Sequence, residues 1–217
     1  MGIIKRGILG GVANKIGNVV GSSWKGIATL RSLPLSVANP NTLAQRTNRN
    51  SFSIMSKLGS DVLATVCQPL WNRDAKQMSG FNAYVMYNKR AYDEDWLTWL
   101  ANPIMSKGVL SSELLTVALS ADSESVVSTW STSLANPQDS DDDVAYIQLI
   151  HQDNSNPAKP AFAAKAFSFG ALRSSATIMV PKTFDVNEGD KLIVSLSFKS
   201  ADGREVATSS TRVITIE

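Results

Sequence analysis

The chain contains few residues of the types that catalyse reactions, and they are not spaced as in known catalytic motifs. The only histidine, His151, lies within the strand-like run YIQLIHQD, which favours a half-buried strand residue over a general base. Cys67 is the single cysteine, so no intrachain disulfide can form. Because Cys67 lies among apolar residues of a predicted helix, we interpret it as a buried apolar side chain and not as a reactive thiol.

One acidic run has the alternation found in calcium-binding loops. Asp139, Asp141 and Asp143 occupy every second position. A loop of that kind needs a glycine at its sixth position and a glutamate at its twelfth, where this chain has Val144 and Ile150. The three aspartates are therefore the only candidate metal ligands, and the sequence favours a solvated loop between strands over a metal site.

Sequence motifs of the common enzyme classes are missing as well. The chain has no GxSxG, HExxH or GxxxxGK[ST] motif and no pair of cysteines. We therefore predict a protein that is not an enzyme, has no catalytic residue and uses no cofactor.

Charge is distributed very unevenly along the chain. The first sixty residues contain eight Lys or Arg residues and no acid. Residues 61–217, which we call the body, carry all nineteen acids and thirteen basic residues. The overall charge of +2 is therefore the sum of a positive start and a negative body. Such a split favours binding to a polyanion, or head-to-tail contact between copies of the chain.

Residues 1–34, which we call the head, are rich in glycine and predict a β-hairpin. Val19 and Val20 lead into a turn near GSSWKG, and Ile27 leads out of it. A small hairpin is marginal in water by itself, so it must lie on its own domain or on a neighbouring molecule. Three glycines are expected to allow close backbone approach: Gly17, Gly21 and Gly26.

The head and the start of the next segment form the predicted interface, for assembly or for contact with phosphates. The candidate residues are Lys5, Arg6, Lys15, Val19, Val20, Trp24, Lys25, Ile27, Arg31, Arg46 and Arg49. In an assembly, the apolar side chains would be buried while Lys15, Lys25 and Arg31 meet acids. On nucleic acid, the basic side chains would contact phosphates while Trp24 stacks on a base or a ribose.

Residues 35–103 predict a helical segment, whose first helix runs from about Thr42 to Cys67. We expect Asn39 or Asn41 to cap this helix and Pro69 to end it. Apolar residues at three- and four-residue steps predict its buried stripe: Phe52, Met55, Gly59, Val62 and Val66.

A second helix is predicted from Gly80 to Tyr92, with Ser79 as its cap. Three tryptophans, Trp71, Trp96 and Trp99, lie around it in sequence. We interpret them as the core that joins the helices to the following domain, and not as a ligand cage.

Residues 104–217 predict an antiparallel β-sandwich domain. Seven short runs with period-two alternation are separated by turn signals such as Asn136-Pro137 and Asp202-Gly203. This pattern is typical of an immunoglobulin-like or fibronectin-like sandwich, with Trp130 as a core tryptophan of an early strand. The predicted fold class is thus α+β: a glycine-rich hairpin, two helices and a sandwich.

Three segments resemble an uncharacterised protein family of Bacteroidota that is known only as a domain of unknown function. They are GILGGVANKIGNVVGSSWKGIATLRSLP, NPNTLAQRTNRNSFSIMSKL and LSFKSADGREVATSSTRVITI. The resemblance covers nearly the whole chain and implies no activity, so it assigns no catalytic residue. The acidic loop PQDSDDDV departs from the family pattern.

The NPNTLAQ segment is also similar to stretches in predicted prophage proteins, where a tryptophan and an Asn-Ala pair usually follow. Here Trp71 and the FNAY sequence at residues 81–84 fit that pattern. The similarity implies a structural role in a virion or a phage-tail-like particle.

The function predicted from the sequence is a non-catalytic structural protein that assembles into a larger particle through its head. The partner is another copy of the chain or another particle protein. One alternative is a nucleic-acid-binding protein that uses residues 1–60 on phosphates. Another is a binding module whose sandwich loops hold a glycan or a protein, which an exposed aromatic residue among residues 108–217 would favour.

Membrane and export signals are absent from the sequence. No stretch of eighteen apolar residues occurs, and the opening residues lack the pattern of a signal peptide. We therefore expect synthesis in the cytoplasm, no membrane span, and association with a virion or other particle.

Overall fold

The computed structural model describes residues 2–4, 12–36, 40–73, 75–91, 103–120, 124–155 and 161–216. Within these ranges the fold is α+β, as predicted: an N-terminal sheet, then helices, then two C-terminal sheets. The division into a head at 1–34, a helical segment at 35–103 and a sandwich domain at 104–217 stays a prediction.

The head contains the predicted hairpin, extended by one strand on each side. Strands β1 (Gly2–Ile4), β2 (Asn14–Ile16), β3 (Val19–Trp24) and β4 (Ile27–Ser32) form an antiparallel sheet in the order β1-β4-β3-β2. Lys25 and Gly26 form the two-residue turn between β3 and β4, with φ of 47° and 80°. Positive φ at both positions suits a type I′ turn, whose twist matches that of the flanking strands.

Helix α1 spans Leu43–Asp61 and begins with a capping box. The Thr42 hydroxyl accepts the backbone N–H of Gln45, and the Gln45 side chain accepts the N–H of Thr42. The prediction that Asn39 or Asn41 caps this helix was wrong, because the reciprocal pair at Thr42 satisfies two backbone donors at once.

The predicted buried stripe of α1 is only partly correct. The buried residues are Ser51, Met55, Leu58 and Gly59. Phe52 lies beside this face, and about half of its surface is exposed.

The sequence predicted that Pro69 ends the helix, and this prediction was wrong. The helical structure continues past Pro69 in a π-helical segment, Leu63–Trp71. The backbone N–H of Cys67 reaches the carbonyl of Val62 at 3.2 Å, a five-residue step. In an α-helix the ring of Pro69 would collide with the carbonyl four residues earlier. The wider π-helical turn is how the helix continues past this proline.

Helix α2 spans Gly80–Ala91, and Ser79 caps it as predicted, because its hydroxyl accepts the N–H of Asn82 at 3.2 Å. Trp71 is buried against α2 and the sandwich, with its ring centroid 5.1 Å from that of Tyr87 and its indole N–H donating to the carbonyl of Met105. Trp96 and Trp99 lie outside the described residues.

The C-terminal region forms the predicted seven-stranded sandwich. The strands are β5 (Leu114–Leu119), β6 (Ser125–Trp130), β7 (Val144–Asp153), β8 (Ala161–Phe167), β9 (Thr177–Pro181), β10 (Lys191–Lys199) and β11 (Ser210–Thr215). Strands β5-β6-β9 form one sheet and β11-β10-β7-β8 the other, with antiparallel pairing throughout. A short 3₁₀ turn, Arg173–Ser175, precedes β9. Trp130 is buried in the core, as predicted.

The four-stranded sheet is covered on both faces, so β7 and β10 are buried almost throughout. One core lies between the two sheets and includes Leu149 and Leu192. A second core lies between the other face and the helices, where Ile150 and Ile193 meet Met55. The helices and the sandwich therefore share one of the two hydrophobic cores.

Candidate functional site

Residues 12–36 of the head contain no buried apolar side chain. Among residues 12–36, only Gly21 is buried, although β3 and β4 are fully paired. Large apolar side chains are exposed instead, and Trp24 keeps 58% of its surface. The others in this segment are Ile16, Val19, Leu33 and Leu35.

One face of the head sheet combines basic and apolar side chains. Lys15 lies opposite Val20, which lies opposite Arg31 on the far side. Since directly opposed residues of paired strands point to the same side, these three side chains form one row. Trp24 and Ile27 form a second row on the same face, and we call these five residues the basic face.

The opposite face, which we call the apolar face, carries Ile16, Val19 and Leu30 beside smaller polar residues, and the backbone crosses it at Gly21. Ile16 lies opposite Val19, and Gly21 lies opposite Leu30. A Cβ atom built on Gly21 would stand 2.1 Å from the carbonyl oxygen of Val12. Close backbone approach is thus found at Gly21. The other two predicted glycines, Gly17 and Gly26, instead have positive φ and open space around them.

The remaining candidate residues are not on the strands that form this face. Arg46 and Arg49 lie in the first two turns of α1, which have no buried residue before Ser51. Arg49 donates to the side chain of Asn41 at 3.4 Å. Lys25 donates to the backbone carbonyl of Met78, not to an acid. Lys5 and Arg6 lie outside the described residues.

Two aspartates of the acidic run, Asp139 and Asp143, are bound by a buried arginine. Nε of Arg173 donates to Asp143 at 3.2 Å and Nη2 donates to Asp139 at 3.4 Å, and all three side chains are buried. The guanidinium also donates to the carbonyl of Ser111 and stacks on Phe198, 4.1 Å from the ring centroid. These two aspartates therefore belong to an internal ion-pair network that joins the loops at one end of the sandwich.

Burial by itself would raise the pKa of Asp139. Hydrogen bonds from the hydroxyl of Ser111 and from the N–H groups of Asn136 and Ser111, together with the charge of Arg173, outweigh burial and hold its pKa below the usual 3.8. Asp141 is exposed. Within the described ranges, no three His, Cys, Asp or Glu side chains converge as a metal site would require.

His151 is a buried strand residue with a structural partner. Its Nε2 lies 3.0 Å from Oδ2 of Asp190, and its ring stacks on Phe184. Asp190 also accepts the backbone N–H groups of Asn154 and Asn187. Burial would raise the pKa of Asp190, but these hydrogen bonds lower it below the usual 3.8. The pair of His151 and Asp190 thus links strand β7 to the loop between β9 and β10.

Cys67 is buried too, and burial raises the pKa of its thiol to about 12. A thiol with so high a pKa carries almost no thiolate near neutral pH. The sulfur donates to the carbonyl of Gly59 at 3.5 Å, inside the core shared by helices and sandwich.

The sequence did not predict a cleft between α2 and the sandwich. Its volume is about 570 Å³, and Trp71, Met78 and Tyr87 line one wall. Gly108 and Val206 line the other wall. These residues are far apart in the sequence and no motif marks them, so only the fold brings them together.

A family model, described as a family of unknown function (DUF6266), matches residues 9–212. The chain belongs to this family. None of the curated proteins compared with the chain matches it significantly. No helix within the described residues is long and apolar enough to cross a membrane.

Proposed function

We propose that the chain is a non-catalytic structural protein that assembles into a larger particle through its head. The observation that carries this proposal is the four-stranded head sheet in which, among residues 12–36, Gly21 alone is buried. A sheet is stable in water only when at least one face is covered. The exposed apolar side chains of this sheet call for a cover, and a second copy or another particle protein would supply it.

The two faces of the head suit different contacts. The apolar face, with Ile16 and Val19, fits a face of the same kind on another molecule. The basic face, with Lys15 and Arg31, fits the net negative body of a neighbouring copy. Together they would give head-to-body or head-to-head contacts that a closed or repeating assembly can use.

The kind of particle is proposed from sequence similarity. The similarity of the NPNTLAQ segment to prophage proteins favours a virion or phage-tail-like component. Trp71, which that pattern contains, is a core residue here, which fits a structural use of the motif.

Native mass by light scattering tests the proposal. We expect the full chain to form an oligomer, and the double substitution V19S/W24S to shift it toward monomer because both side chains are exposed and apolar. Met179→Ser is the matched control, since Met179 is 61% exposed but lies on the sandwich strand β9. A chain that is monomeric at high concentration would contradict the proposal.

The basic face also supports the nucleic-acid alternative. Lys15 and Arg31 flank Val20 on the same side of the sheet as the exposed Trp24, an arrangement that could track phosphates and stack a base. The double substitution K15E/R31E should then abolish binding of single-stranded oligonucleotide, whereas V19S should not. If binding were lost only in V19S, the apolar face would be responsible instead.

The binding-module alternative rests on Phe169, which is 60% exposed and stacks on Phe167 at 5.4 Å. Phe167 is half-buried at the end of β8 and supports the exposed ring of Phe169, and an exposed aromatic ring of this kind can stack on a sugar ring. Phe169→Ala should remove glycan binding if this platform is used, and leave the native mass unchanged.

A further inference from the structure

The cleft between α2 and the sandwich has the size and lining of a small-molecule site. Its volume of about 570 Å³ lies within the range of ligand pockets, roughly 300–1,000 Å³. Met78, Met86 and Tyr87, which are half-buried, and the exposed Val109 give it an apolar surface, with the buried Trp71 and Val206 beneath. A smaller cleft of about 230 Å³ adjoins it and shares Tyr87 and Lys107.

The walls of the cleft are held in place by hydrogen bonds that need no ligand. The indole N–H of Trp71 donates to the carbonyl of Met105 at 2.7 Å. The N–H of Leu110 donates to the carbonyl of Val206 at 3.1 Å. The Asn88 side chain of α2 exchanges two hydrogen bonds with the backbone of Ile104. A pocket formed in advance avoids the entropy cost of ordering when a ligand binds.

The rim of the cleft is positively charged. Arg73, Lys76 and Lys107 line it, and Glu205 is the one acid among the lining residues that the structure describes. Arg73 pairs with Glu205 at 3.2 Å, so Lys76 and Lys107 supply the net positive charge of this described lining. The ammonium group of Lys107 lies 5.1 Å from the centre of the Tyr87 ring, directly above the apolar surface.

We propose that this cleft binds a small organic anion, a carboxylate that carries an aromatic or branched aliphatic body. The apolar part of the ligand packs against Met78, Tyr87 and Val109, and the carboxylate meets Lys76 and Lys107 at the rim. The apolar walls provide the affinity, and the charge of the rim selects anions over neutral analogues. No head residue is among the lining residues, although Lys25 of the head donates to the backbone carbonyl of Met78 on the cleft wall. The carboxylate site is proposed independently of the assembly.

The probe for the test is 4-phenylbutyrate, compared with its neutral amide by isothermal titration calorimetry. We expect the carboxylate to bind and the amide to bind roughly fivefold more weakly, since a partly exposed ion pair contributes an effect of this size. The double substitution K76E/K107E should remove the preference for the carboxylate. K57E/K182E, with two lysines outside the cleft lining, is the matched control and should keep it.

A second variant tests the apolar part. Val109 lines the cleft and is 55% exposed, so Val109→Trp fills the space from the rim without disturbing a buried residue. We expect it to abolish binding of both compounds. Val213→Trp is the control, because Val213 is 40% exposed on β11 and does not line the cleft.

Three results would overturn the proposal: no binding of 4-phenylbutyrate at millimolar concentration, equal affinity for the acid and the amide, or binding unchanged in V109W. Circular dichroism melting of each variant shows whether it is folded. Because K76E/K107E changes only exposed rim charges, it keeps the test decisive if V109W is unstable.

Discussion

Gly21 and Gly108 each lie so close to a backbone carbonyl that an added Cβ atom would collide with it. A Cβ on Gly21 would stand 2.1 Å from the carbonyl oxygen of Val12, within the head. A Cβ on Gly108 would stand 1.9 Å from the carbonyl oxygen of Val206, within the body. Neither neighbour is a flexible side chain, so the backbone itself must move when either glycine is replaced.

We therefore predict that Gly21→Ala and Gly108→Ala have separate effects. Gly108→Ala should destabilise the body by about 1–3 kcal/mol, the usual cost of overpacking, and lower its melting temperature. Gly21→Ala should leave that melting temperature unchanged but weaken the oligomer, because only the head is distorted. The measurements are circular dichroism melting and light scattering; a lowered melting temperature in Gly21→Ala would mean that the head supports the body.

At the scale of elements, regular patterns were predictable from the sequence and exceptions were not. The seven sandwich strands follow from period-two alternation and turn residues, and the Lys25–Gly26 hairpin turn from a glycine beside a short polar run. The continuation through Pro69 was missed because a proline normally ends a helix, and the compensating π-helical turn has no sequence signal.

The candidate residues could be selected from the sequence, but their arrangement could not, because it depends on contacts between residues that are distant in the sequence. The head residues were chosen as candidates because glycine and basic residues are concentrated there, but which of them share a face depends on the strand register. The role of Arg173 was missed because its partners, Asp139 and Asp143, lie about thirty residues away and meet it only in the fold. The aspartates were predicted to lie in a solvated loop because no nearby residue of the sequence indicated a buried arginine as their partner.

The Arg173 network links three connections at one end of the sandwich, and we predict that it is essential for stability. Arg173→Met would leave Asp139 and Asp143 buried without a positive charge, which costs about 3–5 kcal/mol when one partner of a buried pair is removed. Urea unfolding would measure this loss. Adding D139N/D143N to the same chain should recover part of it by removing the uncompensated charges.

Arg204→Met is the control for that experiment. Its partner is Asp202, and both side chains are more than half exposed, so the pair should contribute little. If the two arginine variants had similar unfolding midpoints, the buried network would not be a major source of stability.

The central sheet of the sandwich is covered on both faces, whereas the described residues of the head are mostly exposed or half-buried. The helices pack on one side of the four-stranded sheet and the second sheet on the other. In the head, Gly21 is the one buried residue among residues 12–36, and the backbone of Val12 crosses the sheet there. A hydrogen bond from Lys25 to the carbonyl of Met78 joins the head to the helical segment. The positive charge at the start of the chain thus coincides with a sheet whose described side chains are little buried.

We predict from this arrangement that assembly weakens as salt is raised. If the positive head meets the negative body of a neighbour, screening should act strongly, since the Debye length falls from about 30 Å at 0.01 M to about 3 Å at 1 M salt. Light scattering across that range, with the nucleic-acid absorbance ratio recorded, would measure the effect.

The outcome distinguishes three kinds of contact. A large oligomer free of nucleic acid that dissociates with salt would support assembly through charge. An oligomer that strengthens with salt would leave the apolar face as its basis, because salt favours apolar burial. A monomer that carries nucleic acid until salt removes it would instead favour the phosphate-binding alternative, in which the same lysines and arginines release counterions.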